Sequence, residues 1–419
     1  MFELTALLGA YFLLSQGFDS TLRWLFDMVK AAPLIYLRDG AMLIAIVLGF
    51  VDVVSNRRDA LLSFGLLTFV LVGAVVAGAS GLPVQQLLFG VKVWLPLMFG
   101  ATLATNEVAM KLDRPRMWGT VWALLVFGVV LNVFVKFPWA GMTMQVGETQ
   151  VAANREWETG GLSRVSGFSR TSFDAAICIL LLAFYQVVRS DSWPRRAVIW
   201  LFSGVAVVLT TTKGAIGAWL LATPILPLVL GVRPELYAYQ RFRRGLAFGA
   251  VTTLALIAAL TPLLSTQMTW GVLEEGTPAF FLFASFGDRI VNTWPNAFKL
   301  LDSWQFVTGR GLGGIGSAQS YFELNKFCPA DSFFVYLYVT AGLVGAAMYL
   351  AMLAGMWQLN LSRFSGRLTY CVLLFVFVYG VTVNVVESAV ALIAVGAAAA
   401  QLAKREPSYA YSQPAYVYG

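Results

Sequence analysis

"CPADSFFVYLYVTAGLVGAAMYL", residues 328–350, decides the class of this protein. Asp331 and Ser332 stand at the mouth of an uncharged apolar run notched by Gly342 and Gly345, which reads as a membrane helix. An acid at that mouth needs a reason.

The rest of the chain repeats the pattern. Over 419 residues, 58% are hydrophobic and 12% charged, with a mean hydropathy of +0.73, too little charge to cover a soluble domain of this length. Apolar runs near the roughly 20 residues that cross a bilayer fall at 3–18, 36–54, 61–79, 84–104, 117–135, 172–188, 197–212, 214–231, 246–265, 332–358, 368–386 and 387–402. The expectation is an all-α integral membrane protein with about 12 transmembrane helices, one polytopic domain over 1–403 and a solvated tail over 404–419. Leu4–Ser15 runs into Gln16 without a small-residue cleavage site, so it reads as a retained first helix and not a signal peptide.

Every second junction is basic: Arg57 and Arg58; Lys111, Arg114 and Arg116; Arg189, Arg195 and Arg196; Arg233, Arg241, Arg243 and Arg244; Arg363 and Arg367; Lys404 and Arg405. The positive-inside rule then places these junctions and both termini in the cytoplasm. The net charge of +7 is accordingly a topology signal, and nothing gathers the arginines onto one surface for nucleic acid. Two long segments, about 136–171 and 265–331, fall on the far side, where their mix of tryptophan, glycine and charge reads as folded caps.

The chemistry available is restricted. The chain has no histidine, so the commonest general base and zinc ligand is missing, and Cys178, Cys328 and Cys371 form no disulfide or metal pattern. No D-x-D or acid cluster marks the outer segments, so neither a metal nor a cofactor is expected. What stands out are cations on the side where topology does not call for them: Arg164 and Arg170 in "GGLSRVSGFSRTSF", Lys213 in "LTTTKGAIG" and Arg289 in "SFGDRIVNTW". Taken singly, each reads as snorkelling or as half of a structural ion pair; convergence of the four would mark an anion site. "GRGLGGIGSAQSYF" contains G-x-G-x-x-G at Gly311, Gly313 and Gly316, but no strand precedes it, so it reads as a tight turn over the mouth of the bundle and not as a nucleotide site. Lys92 and Glu387 lie in or near apolar runs, buried against one another or against backbone, or serving a proton pathway.

The order of these elements, from "SRVSGF" through "LTTTKGAIG", "DRIVNTW" and "TGRGLGGIGSAQSYF" to "ADSFFVYLYVTAGLVG", resembles the O-antigen ligase and Wzy-type polysaccharide polymerase superfamily over roughly Arg164–Leu350. The resemblance implies a GT-C-like bundle with a partly helical periplasmic cap in the bacterial inner membrane. It also implies glycan transfer from undecaprenyl diphosphate without a nucleotide sugar. Arg164, Lys213 and Arg289 would stabilise the leaving diphosphate, and Asp331 would stand where the ligases carry histidine. Arg170, Ser332, Gly311, Gly313 and Trp294 would contact substrate. Partners would be undecaprenyl-diphosphate-linked oligosaccharides, membrane lipids, a chain-length regulator and a flippase. Two departures matter. Lysine at 213 replaces the family's arginine and loses the bidentate fork, and the missing histidine favours a polymerase over a ligase attaching glycan to lipid A core. Trp139, Trp157, Trp270, Phe280, Phe281 and Trp294 are candidate sugar-stacking or interface aromatics. Asp331 also fits a helix cap. A lipid-linked saccharide transporter is the rival from another class, although no internal repeat is visible.

Overall fold

The computed structural model describes residues 1–56, 60–146, 149–155, 158–159, 162–231, 237–271, 274 and 277–404. Arg57, Arg58, Trp157, Arg233, Arg405 and the tail beyond Lys404 lie outside the described residues, as does the side chain of Phe281.

Each apolar run forms a helix. Numbering the helices of 15 residues or more among the described residues, these are α1 (Phe2–Gly17), α2 (Leu37–Asn56), α3 (Ala60–Ala79), α4 (Val84–Leu103), α5 (Pro115–Phe134), α6 (Ser172–Arg189), α7 (Trp193–Leu209), α8 (Lys213–Leu230), α9 (Tyr237–Leu264), α10 (Phe333–Met356), α11 (Phe364–Tyr379) and α12 (Ala389–Ala403). Among the described residues, 8 are long and apolar enough to cross a membrane, namely α2 to α6 and α8 to α10, while α11 and α12 are apolar but shorter. The protein is a mostly helical, multi-pass membrane protein. Its outward faces suit lipid: Leu7, Val75 and Phe134 are 67%, 73% and 80% exposed.

Packing centres on α11, which lies against α6, α8, α9 and α12 and is buried from Tyr370 to Tyr379 except at Val372. The expected span 368–386 is too long at its C-terminal end. The helix stops at Tyr379, and 380–388 is a non-helical stretch whose Gly380 carbonyl accepts the Phe333 N–H at 2.7 Å. Its valines made it look helical, yet irregular backbone is tolerated at this depth when buried protein groups satisfy it.

The outer segments are folded. In the first, Thr143–Val146 pairs antiparallel with Thr149–Ala152, and Glu158–Thr159 with Leu162–Ser163. The second carries short helices at Pro278–Asp288, Trp294–Lys299, Gln305–Thr308 and Ser317–Phe322.

The glycine loop 309–316 corrects an expectation. It does not arch over the mouth; it is buried throughout, wedged between α3, α4 and α10. Helix α10 breaks at Gly342 (φ 56°, ψ −133°), and the Val339 and Thr340 carbonyls accept the N–H groups of Arg310 and Gly311 at 2.8 and 2.9 Å. The break is thus closed by the loop instead of lining a cavity. Arg310 clamps the loop by donating to the Gly314 carbonyl at 2.6 Å and to Glu323 at 3.1 Å, while Gln86 of α4 donates to Glu323 at 2.8 Å and to the Gly313 carbonyl at 2.9 Å. Gly311 sits at φ 82°, and a Cβ there would collide with the Ala77 backbone. Gly311→Ala is therefore expected to destabilise the bundle by about 2–5 kcal/mol, from the left-handed backbone and overpacking together. Membrane protein level and melting temperature check it, since a purely substrate-binding role would leave both unchanged.

Candidate functional site

At the end of the bundle opposite the basic junctions, three of the four singled-out cations come together, and one of them, Arg289, pairs with Asp331. The Arg289 Nη2 lies 3.1 Å from Asp331 Oδ2, with the two side chains 17% and 33% exposed. Arg164 and Lys213 each feel the positive charge of Arg289, and Lys213 also that of Arg164. The site is half-open: Arg164 and Lys213 are partly exposed, while Ser332 beside Asp331 is buried.

Local structure explains each placement. Arg164 opens "RVSGFS", whose serines and glycine are pinned from below. Gly167 N–H donates to Asn132 at 3.0 Å, Asn154 donates to Ser166 at 2.9 Å, and Ser169 donates to the Gly17 carbonyl at 2.8 Å. The Arg164 guanidinium then lies over the Phe173 ring at 5.3 Å. Lys213 is the first residue of α8, after Thr211 in the left-handed region (φ 52°). A cation at a helix N-terminus is opposed by the helix dipole, so the charge and the free N–H groups add to one positive potential. Arg289 follows helix Pro278–Asp288 and opens a π-helical turn over Arg289–Thr293, a wider winding than the expected short helix and one found at functional sites. Its Nη1 donates to the Ser285 carbonyl at 2.7 Å, whereas its buried Nε has no partner among the described residues.

Asp331 is not a cap. Ser332 holds the N-cap position of α10 without a side-chain bond, and the Asp331 side chain turns to Arg289 instead. Ala330 and Asp331 both have positive φ, 63° and 45°, a strain of about 1–3 kcal/mol per residue that clusters at functional sites. Burial pushes the Asp331 carboxyl above the ordinary range, against the opposing pull of Arg289, and the nearby Asp288 adds to the rise. A carboxylate so placed is a better proton acceptor near neutral pH.

The other expected contacts separate from this centre. Gly311 and Gly313 belong to the buried wedge, and Trp294 is fully buried, edge-on to Phe286 at 5.7 Å, with no face for a sugar. Trp139 is likewise buried, its indole donating to the Gly167 carbonyl at 3.1 Å. Arg170 is drawn to a neighbouring charge network. Burial first, and then the charge of Arg23, hold its guanidinium below its usual pKa, and its Nε donates to the Ala152 carbonyl at 3.2 Å. That network, in which buried Asp19 pairs with both Arg23 and Arg38, went unread in the sequence. The signal was there: Arg23 and Arg38 also lie where the positive-inside rule does not call for them. Lys92 pairs with Asp39 at 3.1 Å and not with Glu387, which accepts the Ser317 N–H.

The residue most plainly missed is Tyr379. It ends α11, is fully buried, and its hydroxyl has no partner among the described residues although it faces the charges of Asp174, Asp331 and Arg164. It packs under the Lys213 turn, since a Cβ on Gly214 would lie 3.2 Å from its ring. Comparison of the chain with family models, curated proteins and solved structures gave no match.

Proposed function

We propose that this is a polysaccharide polymerase that transfers a glycan from a polyprenyl diphosphate to the hydroxyl of a second lipid-linked repeat on the periplasmic face, within a GT-C-like bundle of about twelve spans. The observation that carries this reading is the clustering of Arg164, Lys213 and Arg289, with Arg289 paired to the carboxylate of Asp331. Three fixed cations at reduced dielectric suit the negative charge that develops on a leaving diphosphate. The acceptor oxygen bonds to the anomeric carbon, the bond from that carbon to the phosphate oxygen breaks, and the acceptor's proton passes to Asp331.

The ion pair supports a coupling. Diphosphate binding competes for Arg289, and Asp331 loses the cation that holds its pKa down. Its basicity then rises when the acceptor must be deprotonated.

Lys213 supplies charge in this scheme, so Lys213→Arg should retain most activity and Lys213→Gln should lose nearly all of it. Equal activity in the two variants would make Lys213 structural. For Tyr379, removing a hydroxyl that donates to a charged oxygen should cost about 1.5–3 kcal/mol, or roughly 10- to 150-fold in rate. Because that hydroxyl has no partner among the described residues, Tyr379→Phe should melt no lower than the parent. A lower melting temperature with normal activity would remove Tyr379 from the site.

The acceptor decides between polymerase and ligase. Offered both lipid-linked repeats and lipid A core, the protein should lengthen the former, and glycan appearing only on the core would overturn the reading.

A further inference from the structure

At the basic end of the bundle, remote from Asp331, α5 and α7 border an open crevice of about 790 Å³ floored by Gln186 of α6. Its walls are small or apolar, with Gly119, Ala123, Leu124 and Phe127 on one side and Val198 and Ile199 on the other. Arg116 and Arg195 stand at its rim, and no carboxylate among the described residues lines it. Asp113, the carboxylate three residues before Arg116, is already engaged by Arg189 at 3.0 Å. Both rim arginines are exposed, as is Ala123 in the trough.

The crevice has a fixed frame. Trp122 of α5 donates to Ser203 of α7 at 2.9 Å, and the buried Gln186 amide donates to the Pro115 carbonyl at 2.9 Å. From Arg116 to Phe127 the helix rises about 17 Å, close to half of the ~30 Å hydrocarbon core. Two guanidinium forks above an apolar trough one leaflet long complement a phosphate joined to an acyl chain.

We propose that this crevice binds one acidic phospholipid of the leaflet at the basic end, its phosphate between Arg116 and Arg195 and one acyl chain along Ala123 and Phe127. The lipid would brace α5 against α7 at the side away from the reaction.

The test uses the full chain in neutral phosphatidylcholine nanodiscs titrated with phosphatidylglycerol, read by melting temperature and by lipid retained in native mass spectrometry. Phosphatidylglycerol should raise the melting temperature and one copy should be retained. Arg116→Gln with Arg195→Gln should weaken apparent affinity about thirtyfold. Ala123→Phe keeps both arginines but fills the trough at an exposed position, so it should fold and lose the retained lipid. Full retention in Ala123→Phe would reduce the effect to surface charge and overturn the proposal. So would an equal rise with phosphatidylcholine alone, or with glycerol phosphate in place of the lipid.

Discussion

Replacing Arg289 with alanine is expected to abolish chain extension while folded protein remains in the membrane. The guanidinium is aimed by its bond to the Ser285 carbonyl and by the π-helical turn, and it contacts Asp331 directly. Its loss withdraws about 2–4 kcal/mol of stabilisation from the developing diphosphate, a drop of roughly thirtyfold to a thousandfold. The same change leaves Asp331 half-buried without its partner, so a modest fall in melting temperature accompanies the loss. Polymer of normal length from Arg289→Ala would end the assignment.

The second large effect is at Asp331. Asparagine occupies left-handed backbone as readily as aspartate, so Asp331→Asn preserves the strained turn at φ 45°, which alanine would burden further. Its amide oxygen can still accept from Arg289, but it takes no proton. Since the structure gives Asp331 no capping bond to lose, the expected result is a drop of roughly a hundredfold or more at unchanged expression. The pH profile carries a matching sign. Burial raises the Asp331 carboxyl, and the active form is the carboxylate, so activity should fall on acidification at a pH above the ordinary aspartate value of about 3.9. In Asp331→Asn that acid limb should vanish. Full activity in Asp331→Asn would refute the role. Two other acids of the outer segment are less free: Asp288 accepts from Asn292 at 2.8 Å, and Glu323 is held by Arg310 and Gln86.

How much of this was legible before the structure follows from what each signal encodes. Membrane spans are written as long apolar runs, and every such run formed a helix over most of its length, the last third of 368–386 excepted. Cations on the wrong side of the topology rule are conspicuous one at a time, which is why Arg164, Lys213 and Arg289 stand out in the sequence. Their meeting was only a condition, because sequence spacing does not say which outer segments fold onto which mouths. Tyr379 ends an apolar run and looks like core, and only its unpartnered hydroxyl beneath the Lys213 turn sets it apart. Arg170 shows the same limit in reverse: its motif matched, but Asp19 and Arg23, distant in sequence, share its surroundings. The glycine loop showed its need for left-handed backbone without showing that a broken helix, α10, would supply the acceptors.

The most direct test of the central claim is product length. Purified protein in vesicles, given labelled lipid-linked repeat units, should yield a ladder of longer lipid-linked glycans on a gel together with released polyprenyl diphosphate, and both should disappear with Arg289→Ala. Labelled saccharide that changes membrane leaflet but never length would contradict it and make the protein a transporter.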